Sequence, residues 1–454
     1  MSSYTCSKLA AADGRGTRIP RTVQRMRRTA LGIAAALALA FAGCGSEDPP
    51  SGPQTLRVPA DHATIQAAVD AARPGDVVLV APGTYAESVE IGVEGITLRG
   101  EERNTVILDG SDRLQNGVYV TADGVAVENL TVRHFTNNGV LFTSFGQDLV
   151  EEVITEGDGG ETPTRDSVDP AATGLDGYRI SYVTAYSNGL YGLYAFAAVN
   201  GLIEHTYASG HPDSGYYIGQ CKPCNVVLRD VTAERNAIGY EGTNGSGGVY
   251  IVESVFRGNR LGITPNSQDA ELLAPQEETV VAGNLVVDNS DPATPEIEDG
   301  YFGGGILIGG GERNLVLRNR VSGNPDTGIG VMTLGRFQPS GNRIEGNVAE
   351  GNGVDLVFAP VGTRETAGNC FTGNTFRTSL PARIERALPC DAPARLRRIP
   401  APPRTPAPPG IDYLDVAPPP DQPSMPAEAM AKTGGAGPVP PVVDLDAIRV
   451  PDAP

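Results

Sequence analysis

Four successive segments between Tyr178 and Thr264 can be laid over one another: YRISYVTAYSNGLYGLYAF, GLIEHTYASGHPDSGYYIG, VVLRDVTAERNAIGYEG and YIVESVFRGNRLGIT. In each, apolar and polar residues alternate over a short strand, a turn rich in Asn, Ser and Gly follows, and a Gly opens a second alternating strand. Alternation with period two predicts strands with one buried face. A repeated unit of this size predicts a stack of coils rather than separate domains. The opening glycine recurs at Gly117, Gly139, Gly189, Gly215, Gly239, Gly262, Gly305, Gly328 and Gly353. Counting two double steps, about ten coils stack, a rod of roughly 50 Å at ~4.8 Å per coil. Leu190, Tyr216, Tyr240 and Ile263 take the first, inward place, and Tyr191, Tyr217, Glu241 and Thr264 the next, outward one.

A second register runs through the turns. Asn129, Asn284, Asn319, Asn347 and Asn374 hold matching places, with Tyr182, His205, Asp230 and Ser254 there in the middle coils. Stacked asparagines can share amide bonds and tolerate left-handed backbone angles, so this reads as a structural ladder. Before the coils, Ile65, Ala68, Val69 and Ala72 fall at helical spacing behind Thr64 or Asp61, predicting an amphipathic helix that caps the stack. After them, ARIERAL predicts a short closing helix. Residues 391–454 are proline-rich without periodicity and are expected to be disordered.

The stretch TIQAAVDAARPGDVVLVAPGTYAESVEI resembles the opening of right-handed parallel β-helix proteins of the pectin-lyase-like superfamily, and the coils resemble its repeats, over roughly residues 56–390. The resemblance implies an all-β solenoid. It implies no single activity, because that superfamily holds lyases, hydrolases, esterases, epimerases and non-enzymes.

Basic residues number 35 and acidic residues 54, a net charge of -19. That sign sets nucleic acid and anionic membranes aside as partners. At the N-terminus, Arg27 and Arg28 precede the apolar run LGIAAALALAFA, which ends at Gly43 and Cys44 and is too short for a stable membrane anchor. It resembles a bacterial lipoprotein signal with Cys44 as the lipidated residue; an ordinary secretory peptide cut near Ala42 is the alternative. Residues 1–43 are then the leader, with Met26 an alternative start, and 44–55 a tether. Either reading places the mature chain outside the cytoplasm, where Cys221, Cys224, Cys370 and Cys390 are expected to form two disulfides. For CKPC at 221–224 the competing readings are a redox pair or half a zinc site.

Candidate chemistry gathers around one turn. Where neighbouring coils read AYSNG and ERNAIG, this coil reads ASGHPDSG, adding His211, Pro212 and Asp213. His211 with Asp213 could act as general base and Tyr217 as acid, with Arg235 of the next coil neutralising a substrate carboxylate; the alternative is a surface turn with a spare histidine. Tyr191 and Tyr217 beside Glu241 are either a platform for sugar rings or a solvent-facing tyrosine ladder. HPD shares its residues with the DPHD motif of the alginate epimerases but in a different order, so no role is carried across. His205 falls in the ladder register and is expected to bond Tyr182 or Asp230. The superfamily resemblance makes Ca²⁺ a candidate ligand of the acidic loops, although no Asp-x-Asp spacing here suits it and no metal ligand is assigned.

Three functions follow as expectations: a polysaccharide-binding, monomeric lipoprotein, with modification of the glycan of lyase or epimerase type left open; a non-catalytic envelope or adhesion module; and a copper-related β-helix resembling the periplasmic protein of nitrous oxide reductase maturation. Four His and five Met, none clustered, count against the last.

Overall fold

The structure, a computed structural model, describes residues 52–145, 174–269, 271–296, 300–361, 368–394, 402, 404–431 and 440–453. The leader, Cys44 and most of the acidic loop after Phe145 lie outside the described residues. The rest is a right-handed parallel β-helix of three faces. Face A has 12 strands, from Thr55–Val58 to Cys370–Thr372; face B has 11, from Gly83–Tyr85 to Thr375–Phe376; and face C has 11, from Val89–Ile91 to Ser379–Leu380, so the stack runs to about twelve turns rather than ten. Every pairing between named strands is parallel, because each coil lays its strand on the corresponding strand of the coil before.

Inward residues form one continuous core in which Leu193, Tyr216, Tyr240 and Ile263 are fully buried. Leu193 replaces Leu190 in that row, because the glycine aligned with Gly215 is Gly192 and not Gly189: Leu193 pairs with Tyr216. At the far end Asp355, not Gly353, aligns with Gly328. Glycine recurs at this corner for lack of space. A Cβ on Gly239 would stand 2.5 Å from the Gly262 carbonyl oxygen, and one on Gly305 2.4 Å from that of Gly328.

Two of the corners carry long side-chain ladders. Between faces A and B, Asn284, Asn319, Asn347 and Asn374 bond successively, each Nδ2 to the next Oδ1 at 2.9 Å, and Glu385 of the closing helix Ile384–Ala387 takes the last amide. Asn129, Tyr182, His205 and Asp230 belong to the neighbouring column, one residue earlier, where φ lies near +50°. The expected single register is therefore two adjacent ones. Between faces B and C a second ladder runs through Asn236, Asn259, Asn289, Asn324 and Asn352.

Both ends close as expected. Helix Ile65–Ala71 is capped by Thr64, whose Oγ1 accepts from Ala67 N at 3.1 Å, and it buries Ile65, Ala68 and Val69. Cys370 is bonded to Cys390 and Cys221 to Cys224. The tail departs from the expectation of disorder. Thr405 N donates to Asp326, Arg260 to the Pro408 carbonyl, Met425 N to Asn129 and Arg318 to the Leu445 and Ile448 carbonyls. Proline suits this role: an extended segment with few N–H groups can lie on a finished solenoid, where buried arginines supply the donors for its carbonyls.

Candidate functional site

Face C carries a cleft of about 630 Å³. The outward row is Tyr194, Tyr217, Glu241 and Thr264, set side by side by the strand register. Tyr191, predicted for this row, precedes the strand and folds onto it, its ring 4.5 Å from that of Tyr194 and 4.9 Å from that of Tyr217. Tyr194 and Tyr217 meet edge to face at 5.0 Å. This row is not an open face. The loop after Asn266 lays Gln268 and Glu271 against it, and a tight turn with Leu334 paired to Phe337 closes another side. Tyr217 and Glu241 are consequently only 5% and 6% exposed.

Four carboxyl groups line the cleft: Asp213, Glu241, Glu271 and, paired with Arg336, Asp269. Asp213 and Glu241 hydrogen-bond each other, and Ser214 Oγ lies 2.7 Å from Asp213 Oδ1 and 3.2 Å from Glu241 Oε2. The Tyr191 hydroxyl donates to Asp213. Glu241 Oε1 accepts from Asn266 Nδ2 at 2.9 Å and from Thr243 Oγ1 at 3.3 Å. Burial, and then the adjacent Glu241 charge, hold Asp213 well above the usual carboxylate range; burial raises Glu241 as well. The two thus titrate as a pair that keeps a proton where exposed carboxylates have lost theirs. Glu271 is pushed up to about 8 by burial. One of its oxygens accepts from the Tyr217 hydroxyl; Oε2 is sealed from solvent with no partner. Among the described residues lining the cleft there is no Lys, Arg or His.

The site brings together Asp213, Tyr217, Tyr191 and Glu241 of the residues singled out in the sequence. It leaves out His211 and Arg235. His211 is fully buried as a rung of the second ladder, and Arg235 faces Glu234 and Asp291 at 3.6 and 3.8 Å. His211 was expected in a surface turn because the three-residue insertion hides that it stands where other coils have asparagine. His205, one column from the asparagine ladder, does find its expected partners, its Nδ1 2.5 Å from Asp230 and its ring stacked on Tyr182. Sequence reading missed Tyr194, which the Gly192 register reveals, and Glu271, which sits in a loop with no repeat signal. No group of three or more His, Cys, Asp or Glu among the described residues could hold a metal ion.

A family model described as "Periplasmic copper-binding protein (NosD)" matches residues 176–387, just under half of the chain. No curated protein matches the sequence. Among solved structures, the A-module of a mannuronan C-5 epimerase from Azotobacter vinelandii is similar at 13% identity, covering 70% of this chain and 95% of that one, with a TM-score of 0.40. Pectate lyase Pel9A is similar at 14% identity, over 72% and 80% of the two chains, with a TM-score of 0.43. An alginate lyase from Paenibacillus sp. str. FPU-7 is similar at 16% identity, over 72% and 96%, with a TM-score of 0.41. By its own sheet topology and its repeats, the chain is a right-handed parallel β-helix protein.

Proposed function

We propose that this protein is an extracytoplasmic lipoprotein, anchored through Cys44, whose face C cleft binds a polysaccharide of the cell envelope. The observation that carries the reading is the aromatic wall of Tyr191, Tyr194 and Tyr217 set beside hydrogen-bonding Glu241, Asn266 and Gln268 in one cleft. Sugar rings need both an apolar face to stack on and polar groups at their edges. Elimination or epimerisation next to a sugar carboxylate needs a cation to neutralise that carboxylate. The described lining provides none, and His211, the candidate base, has both ring nitrogens engaged. The family description and the leader both favour a place outside the cytoplasm. Among the described residues no helix is long and apolar enough to cross a membrane.

A copper role finds, among the described residues, no group of three or more His, Cys, Asp or Glu to hold the ion. The four cysteines there are oxidised, His211 is locked in its ladder and His205 is paired with Asp230. The test of the glycan reading is retention on immobilised envelope polysaccharides by the parent protein, Tyr217→Ala and the near-isosteric Asp213→Asn. Retention by the parent and a loss of about tenfold in both variants are expected. Equal retention by all three proteins rejects the cleft as the binding site.

A further inference from the structure

The chemistry of the cleft narrows the class of ligand, on the reading that it binds glycan. Asp213, Glu241 and Glu271 line it together with Tyr191, Tyr194 and Tyr217, and no described basic side chain faces them. Asp269, which also lines the cleft, is paired with Arg336 at 2.6 Å, and Arg336 is largely exposed. Glu271 Oε2 is buried with no hydrogen-bond partner, although a buried carboxyl oxygen ordinarily finds a donor, and a rotation of the Glu271 side chain is what presents it to a ligand in the cleft. The Asp213 and Glu241 carboxyls face each other across one hydrogen bond. Two carboxyls in contact, an orphan carboxyl oxygen and three aromatic rings are the surroundings that attract an ammonium group: N–H donors for the oxygens and a positive charge for the rings.

We infer that the cleft is selective for an amine-bearing glycan, its ammonium group seated among Asp213, Glu241 and Glu271 and its sugar rings against the tyrosines. A cation there favours the ionised form of all three acids, so binding releases a proton: the one held between Asp213 and Glu241, the one on Glu271, or part of both. Affinity then rises with pH until the ligand amine loses its own charge. An acidic polysaccharide is excluded by the same groups.

Titration calorimetry on the full-length protein tests this, with oligomers of glucosamine, N-acetylglucosamine and glucose of equal length, and with spermidine as an amine that carries no sugar. Each titration is run at pH 6 in two buffers of different ionisation enthalpy. The expected result is at least tenfold tighter binding of the glucosamine oligomer than of the two neutral oligomers, with net proton release only for the amine. Glu271→Gln and Glu241→Gln, each checked for an unchanged circular dichroism spectrum, are expected to lower that preference and the proton release together. Equal affinity for all three oligomers overturns the selectivity for amines while leaving the glycan-binding reading in place. Binding of spermidine but of no oligomer supports the ammonium site and overturns the glycan-binding reading. Binding of none overturns both.

Discussion

His211 Nδ1 lies 2.8 Å from Asn236 Oδ1, and its Nε2 lies 3.2 Å from Asn188 Nδ2. Because the Asn236 oxygen accepts, Nδ1 carries the hydrogen, and the bare Nε2 accepts from the Asn188 amide. One imidazole thus performs both tasks of an asparagine rung, and only in its neutral form. Burial pushes its pKa down to about 4. The unfolded chain takes up a proton at this residue below its ordinary value of 6.5, the folded one only near 4, so stability falls as pH drops through that window.

His211→Asn should remove that acid sensitivity. At pH 5 the neutral rung is expected to recover about 2 kcal/mol of the linkage cost, minus whatever the smaller side chain loses in packing. Urea titrations of parent and variant at pH 5 and pH 7 check this; parallel pH profiles for the two proteins would count against it.

Glu271 has the opposite dependence. Its folded pKa of about 8 exceeds the ordinary value of 4.5, so it contributes fully below 4.5 and progressively less as pH rises through 8. Glu271→Gln should flatten the fall in Tm between pH 5 and 8, read by thermal melts at several pH values. A fall as steep as in the parent would show that Glu271 is already ionised in the folded protein.

The first ladder should fail as a unit. Asn319 donates to Val281 O at 2.8 Å and to Asn347 Oδ1 at 2.9 Å, while its own Oδ1 accepts from the Asn284 backbone and side chain. Asn319→Ala strands several buried groups and is expected to cost about 2–4 kcal/mol. Faster amide hydrogen exchange at Asn284, in the preceding coil, whose N–H loses its acceptor, would reveal the break.

The tail is expected to stabilise the solenoid. Ile448 is 3% exposed and joins Leu202, Val227, Val252, Ala282 and Leu317 in one apolar cluster on the outside of face A. Ile448→Ala should cost about 2 kcal/mol and make the segment after residue 440 sensitive to limited proteolysis. An unchanged digestion pattern would show that its backbone hydrogen bonds hold it unaided.

Cys44→Ser tests the anchor. Metabolic labelling with a fatty acid should mark the parent and not the variant, and the variant should move from the membrane to the soluble fraction. Labelling of both proteins would place the modification elsewhere.

The repeat, the capping and closing helices and the two disulfides were legible in the sequence because each is a local or periodic signal. An alternating strand has to bury one face, a Thr before an apolar helical stripe has to cap it, and Gly has to stand wherever a coil's backbone presses on the next. Register was less secure. GLYGLYAF offers two glycines three residues apart, and only the pairing of Leu193 with Tyr216 chooses Gly192. That choice moves Tyr194 into the outward row and sets Tyr191 beside it.

The tertiary structure alone decided three things. It turned His211 from a candidate base into a buried rung, because two neighbouring coils supply its hydrogen-bond partners. It bound a proline-rich tail that no periodic pattern announces, because the binding surface is assembled from coils more than a hundred residues away in sequence. And it brought Glu271, from a loop outside the repeat, against Tyr217 and beside the Asp213–Glu241 pair, converting an exposed row into a cleft. Periodicity determines which face of a strand is apolar; what covers the other face depends on loops that obey no period.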